Sequence, residues 1–209
     1  MNRKFVAKSN FVLRRVLNRK DNIDILIEFI EVMLNLEIKE AIINPYLEKI
    51  KEHLPAEENF GIADLRIKTS ENEERNVGIQ IIDGEHVLTK MLLYYAQIHG
   101  NQLEYDCNRE IAKTITINIL DFVLNEELEY HSRMVVAKET MTNIINDYLE
   151  IHILQLPKFR LKNSKNMTLK HAWICYLKGE DTKETIKKSE KIKKLDALLE
   201  KYWREEVME

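Results

Sequence analysis

The chain has 209 residues, 44% hydrophobic and 32% charged, with only 5 Gly and 3 Pro, a composition for one well-cored domain without long disordered stretches. A net charge of −3 gives no global pull toward nucleic acid or acidic membranes, and no uncharged apolar run nears the roughly 18 residues of a membrane span. Cys107 and Cys175 belong to no CxxC pattern, which points to free thiols in a reducing cytoplasm.

Met1 to Lys8 lacks the apolar stretch of a signal peptide, so a cytoplasmic protein with no membrane association is expected. Asp24, Glu28, Glu31 and Asn35 then recur at four- and three-residue steps. That spacing predicts a helix over 22–36, capped by Asp21 or Asn22, with one solvated polar face and apolar residues elsewhere. Ala41 to Ile43, ahead of Pro45, reads as a short strand because proline disfavours helix before it.

Two period-two segments follow. Ala63, Leu65 and Ile67 alternate with Asp64, Arg66 and Lys68; Val77, Ile79 and Ile81 alternate with Asn76, Gly78 and Gln80. Ser70 to Glu74 between them is polar, which predicts a hairpin. A register centred on Asn72 sets Asp64 opposite Gln80 and Arg66 opposite Gly78. A one-residue slip would mix the apolar and polar faces, so Asp64, Gly78 and Gln80 are expected on one face.

Asp83-Gly84 makes a turn, and a helix is predicted from Glu85 to about Tyr105, weakened at Gly100. The β-branched run within Lys113 to Val123 predicts a central strand, followed by strands over Tyr130 to Lys138 and Leu149 to Leu156. Terminal helices are predicted over Thr168 to Lys178 and Asp181 to about Tyr202, the second opened by an Asp181-to-Glu184 capping box. The order implies an α/β domain with a mixed β-sheet, here over residues 1–160, with a helical C-terminal extension over 161–209.

The chemistry concentrates in the hairpin. A Mg²⁺-dependent nuclease needs carboxylate oxygens converging on a hard cation that keeps several waters, and the metal activates a water and neutralises phosphate charge. Asp64 offers one acid, Gln80 stands where a Lys or Gln would follow the second, and Gly78 occupies the place of that second acid. Read bare, Asp64 is a metal ligand or a strand Asp paired with Arg66 or Lys68. Gly78 is a lost carboxylate or an ordinary bulge position.

The series Asp64, Asn76-Val77-Gly78-Ile79-Gln80, Lys90-Met91-Leu92-Leu93-Tyr94-Tyr95, Ile115 to Phe122, Gln155-Leu156-Pro157-Lys158-Phe159 and Trp173 resembles the Rpn-type recombination-promoting nucleases and transposases. These form a branch of the PD-(D/E)xK superfamily. The resemblance covers about residues 8 to 180. It implies a restriction-endonuclease-like core flanked by helices, DNA as partner and DNA endonuclease or recombination-promoting activity. It also implies Mg²⁺ as cofactor if the site is active.

By the same resemblance, Asp64 is the catalytic metal ligand, Gln80 a catalytic residue orienting water or phosphate, and Lys90 and Tyr94 substrate-binding residues. Two departures matter. Gly78 replaces the family's glutamate and offers no ligand, which implies an impaired metal site unless Asp83, Glu85 or Glu28 completes it. Lys90 replaces an arginine and loses the bidentate phosphate fork.

On the residues alone, Lys90, Tyr94 and Tyr95 read as core and rim packing more readily than as a phosphate-ordering or base-stacking set. The tail lysines Lys183, Lys187, Lys188, Lys191, Lys193, Lys194 and Lys201 read as phosphate contacts or a solubilising face. The readings left open are a nuclease, a non-catalytic DNA-binding or protein-interaction module on the same fold, and a homodimer of either.

Overall fold

The computed structural model describes residues 10–44, 61–82, 84–104, 111–137, 144–161, 166–180 and 183–206. Helix α1 (Asn10–Leu17), absent from the expected elements, is followed by a 3₁₀ turn (Lys20–Asn22) and helix α2 (Ile23–Leu34). Asn22 stands at the N-cap of α2 but makes no side-chain cap bond; its amide donates to Val16 O at 2.7 Å instead and ties α1 to α2. Asn35 ends α2 in the left-handed region at φ 53°, a conformation Asn tolerates better than most residues.

Strand β1 (Ile38–Ile43) leads to the hairpin of β2 (Ala63–Thr69) and β3 (Glu74–Ile82), then helix α3 (Val87–Gly100) and β4 (Lys113–Leu120). Strands β5 (His131–Ala137) and β6 (Ile144–Gln155) precede α4 (Leu169–Lys178), α5 (Lys183–Lys187) and α6 (Glu190–Glu206). The six strands form one sheet in the order β1-β2-β3-β4-β6-β5. The pairs β3–β4 and β4–β6 are parallel and the rest antiparallel, so the mixed sheet expected from the element order is present.

The parity of the hairpin is as expected, but its register is not. Asp64 pairs with Gly78 and Arg66 with Asn76, a shift of two residues from the expected pairing. The turn explains it. Thr69 pairs with Glu73 through Thr69 N to Glu73 O at 3.0 Å, and Asn72 sits at φ 65°. That is a three-residue loop closed by a left-handed residue, so the turn is centred on Glu71 and not on Asn72.

Layers form on both faces of the sheet. On one, Leu65, Val77, Ile79 and Ile117 join Leu13 of α1, Phe29 of α2, Trp173 of α4 and Leu195 of α6 in a single buried cluster. Each such side chain contributes about 1.5–3 kcal/mol of burial, and Trp173 meets Phe29 edge-on at 5.4 Å. On the other face, Val87, Met91 and Tyr95 of α3 pack on Ile82, Leu120, Ile151 and Ile153.

The polar face of α2 is only partly solvated, contrary to expectation. Asp24 pairs with Lys191 at 2.6 Å and Lys194 at 2.8 Å, and Glu28 Oε1 accepts from Trp173 Nε1 at 3.0 Å and from Ser189 Oγ. Helices α4 and α6 therefore dock on that face through ion pairs and hydrogen bonds. The single terminal helix expected over 181–202 is broken near Ser189, whose hydroxyl accepts from Lys191 N and Ile192 N and caps α6. The expected Asp181-Thr182 cap and the thiol of Cys107 lie outside the described residues; Cys175 is a buried free thiol.

Candidate active site

Side chains alternate across a strand, so Asp64, Gly78 and Gln80 project to the face covered by α3 while Leu65, Val77 and Ile79 enter the larger core. Across the sheet, Gly78 pairs with Thr116 and Gln80 with Asn118. The result is a buried polar strip beneath an otherwise apolar helix: Asp64, Asn76, Gln80, Thr114, Thr116 and Asn118 are all 5% exposed or less. Polar groups at such depth are costly unless bonded.

Most of the strip is bonded. Gln80 Nε2 donates to Asn118 Oδ1 at 2.6 Å, and Asn118 Nδ2 donates to His152 O at 3.0 Å and Thr116 Oγ1 at 3.1 Å. His99 Nδ1 lies 2.9 Å from Thr114 Oγ1. Asp64 is the exception. Its Oδ2 accepts from Asn44 Nδ2 at 3.1 Å, while Oδ1 is buried with no hydrogen-bond partner among the described residues. Burial pushes its pKa up to about 7, against the opposing effect of the Asn44 bond.

Tyr94 and Ile98 of α3 explain that depth. A β-carbon on Gly78 would overlap Ile98 Cδ1 and lie 2.9 Å from the Tyr94 hydroxyl and 3.0 Å from its ring. A β-carbon on Gly61 would overlap the same hydroxyl and lie 2.6 Å from Ile79 O. The two glycines thus make the hollow that Tyr94 fills. Its hydroxyl bonds to Ala63 O at 3.2 Å and Ile79 O at 3.3 Å. Burial and then the neighbouring Asp64 hold the Tyr94 pKa well above its ordinary value.

The residues expected to form the site are therefore differently placed from one another. Asp64, Gly78 and Gln80 share a face, and Tyr94 lies against them, 5% exposed and with its hydroxyl turned into the sheet. Lys90 is half-buried one turn earlier on α3, its ammonium near the Gly84 turn. Of the acids considered for rescue, Glu85 is exposed on the turn before α3, Glu28 is on the opposite side of the sheet with Trp173, and Asp83 is outside the described residues.

A hard divalent cation needs several converging oxygens and room for its waters. Among the described residues no three Asp, Glu, His or Cys side chains converge as a metal set, and the volume beside Asp64 holds Tyr94 and Ile98. Among the described residues, the donors do not fit the metal.

A second polar cluster, which sequence reasoning missed, lies on the opposite face. Glu150 Oε2 meets Lys113 Nζ at 2.7 Å and Arg133 at 3.0 Å, and Oε1 meets His152 Nε2 at 2.7 Å. His152 Nδ1 is 2.9 Å from His131 Nε2. Burial, Lys170 and His152 push the His131 pKa down to about 3. Glu150 is held at about 2: burial opposes this, and bonds from His152 and Lys113 outweigh it. The readable signal was the i, i+2 spacing of Glu150 with His152 on one strand and of His131 with Arg133 on another.

One curated protein, the Mediator of RNA polymerase II transcription subunit 7 of Saccharomyces cerevisiae, is 30% identical over 106 residues. That match takes in 49% of this chain and 45% of that protein, so the chain spans less than half of its length. No solved structure is significantly similar to the chain. Residues 7–207 match the PD-(D/E)XK nuclease family transposases, and the mixed sheet with flanking helices is consistent with their restriction-endonuclease-like fold. The chain belongs to the PD-(D/E)XK nuclease family transposases.

Proposed function

We propose that this chain keeps the scaffold and the DNA association of its family while its Asp64 site is closed to the metal. The observation that carries this reading is the packing of Tyr94 and Ile98 into the space a side chain at position 78 would need. Nucleases of this family generally depend on divalent metal. With Gly78 in place of a glutamate, Asp64 is the one acid of the site among the described residues, and it supplies too few oxygens for Mg²⁺. Gln80 then serves the buried strip through Asn118 instead of orienting a water.

DNA is the partner the family suggests. Lys183, Lys187 and Lys188 are exposed and suit sequence-independent phosphate contacts, whereas Lys191 and Lys194 are engaged by Asp24. No helix among the described residues is long and apolar enough to cross a membrane. A cytoplasmic protein attending DNA recombination without cutting, alone or as a homodimer, is the role these features favour.

The test is a supercoiled-plasmid nicking assay with Mg²⁺ or Mn²⁺, run beside a band-shift titration at rising salt. The reading expects no nicking above the Asp64→Ala background and a DNA shift that weakens steeply with salt. Metal-dependent nicking lost in Asp64→Ala would replace it with an active nuclease. No DNA retention at low salt would leave a protein-interaction module.

A further inference from the structure

Helix α3 is apolar on both of its sides. Inward it buries Val87, Met91, Tyr94, Tyr95 and Ile98. Its exposed residues are Leu88, Thr89, Leu92, Leu93, Ala96 and Gly100. None of the six is charged, in a chain in which charged residues make up 32%. The three leucines are 52%, 52% and 65% exposed. Helices facing solvent ordinarily place charged or polar residues there.

We propose that this outer face of α3 is a homodimer surface, on which a second copy of the chain packs its own α3 antiparallel about a twofold axis. Size along the helix favours that arrangement. Bulk lies in the first half, at Leu88, Leu92 and Leu93, and small residues lie in the second, at Ala96 and Gly100. A β-carbon on Gly100 would meet no atom within 4 Å, so the space above it is open. Antiparallel pairing lays the leucines of each copy over the small residues of the other, and a twofold interface must be self-complementary in this way. Parallel pairing would set leucine on leucine and leave a gap beyond Ala96.

Charge points to the same occupant. A face without cations offers nothing to phosphates, so DNA does not suit it. A charged protein segment would lose its hydration there without compensation. A second copy brings another uncharged face and no like-charge contact. The three leucines each expose half or more of their surface, and contiguous exposed apolar surface is where interaction sites form. One helix face from each copy makes a small interface, which suits a weak, concentration-dependent dimer.

The lysines proposed to contact DNA, Lys183, Lys187 and Lys188, are not on α3, so self-association and DNA binding are read separately. Sedimentation velocity of the full chain across a wide concentration range should show a mass rising from monomer toward dimer, and Leu93→Glu should hold it at monomer. Circular dichroism checks that the variant folds. In an oxidative cross-linking test that needs no such variant, a mixture of Leu92→Cys and Ala96→Cys chains should form a 92–96 disulfide faster than Leu92→Cys alone forms 92–92. A monomer at every concentration, a dimer unchanged by Leu93→Glu, or cross-linking preferentially between identical positions would overturn the proposal.

Discussion

Asp64 and Gly78 stand directly opposite each other in the β2–β3 pair, and the space between them and α3 is taken by Tyr94 and Ile98. Restoring a glutamate at position 78 is therefore not a simple repair. Gly78→Glu should destabilise the fold by about 1–3 kcal/mol through overpacking alone, with a buried charge adding to it. Gly78→Ala should also destabilise, and Ile98→Ala should relieve part of that cost. A double-mutant cycle in urea denaturation should show favourable coupling between positions 78 and 98.

Asp64 predicts a distinctive pH slope. Its folded pKa of about 7 lies above the ordinary 3.8, so between those values the folded state binds more protons than the unfolded one. Stability from this group is fully present below about pH 4 and falls as pH rises toward 7. Asp64→Asn removes that slope. The stability of the variant minus that of wild type should grow by an amount on the order of a few kcal/mol between pH 4 and 8, measured by urea denaturation at each pH.

His131 predicts the opposite slope. Its folded pKa of about 3 lies below its ordinary 6.5, so the unfolded state takes the proton first and stability falls as pH drops from about 6.5 toward 3. Glu150, held at about 2 against an ordinary 4.5, loses its contribution as pH falls through that lower window. His131→Gln should move the acid-unfolding midpoint to lower pH. Glu150→Gln should cost roughly 2 kcal/mol or more at pH 7 by weakening charged hydrogen bonds to Lys113, Arg133 and His152. Thermal melts across pH 3–8 check both.

Glu28 ties the helical layer together through Trp173 and Ser189. Glu28→Ala should cost about 1.5–3 kcal/mol, the range for hydrogen bonds to a charged group. DNA binding should be unchanged. Chemical denaturation and a band shift on the same preparation separate the two effects.

The sequence carried the face-sharing of Asp64, Gly78 and Gln80 because strand alternation has only two solutions and one buries the apolar residues. It did not carry the register, which rests on the left-handed φ of Asn72 in the loop, a three-dimensional choice among compatible turns. Tyr94 and Ile98 were legible as helical residues, but their docking onto Gly61 and Gly78 arises between elements distant in the chain. The solvated face expected on α2 failed for a similar reason: α4 and α6 arrive more than a hundred residues later and bring Trp173, Lys191 and Lys194 to Glu28 and Asp24. Helix α1 had a usable signal in Val12, Leu13, Val16 and Leu17.

An Asp64 site closed to divalent metal can be tested directly. Mn²⁺ titration followed by electron paramagnetic resonance, comparing wild type with Asp64→Ala, tests it without requiring activity. A closed site gives the same free Mn²⁺ signal for both proteins through the millimolar range. A saturable Mn²⁺ site in wild type that disappears in Asp64→Ala would contradict it.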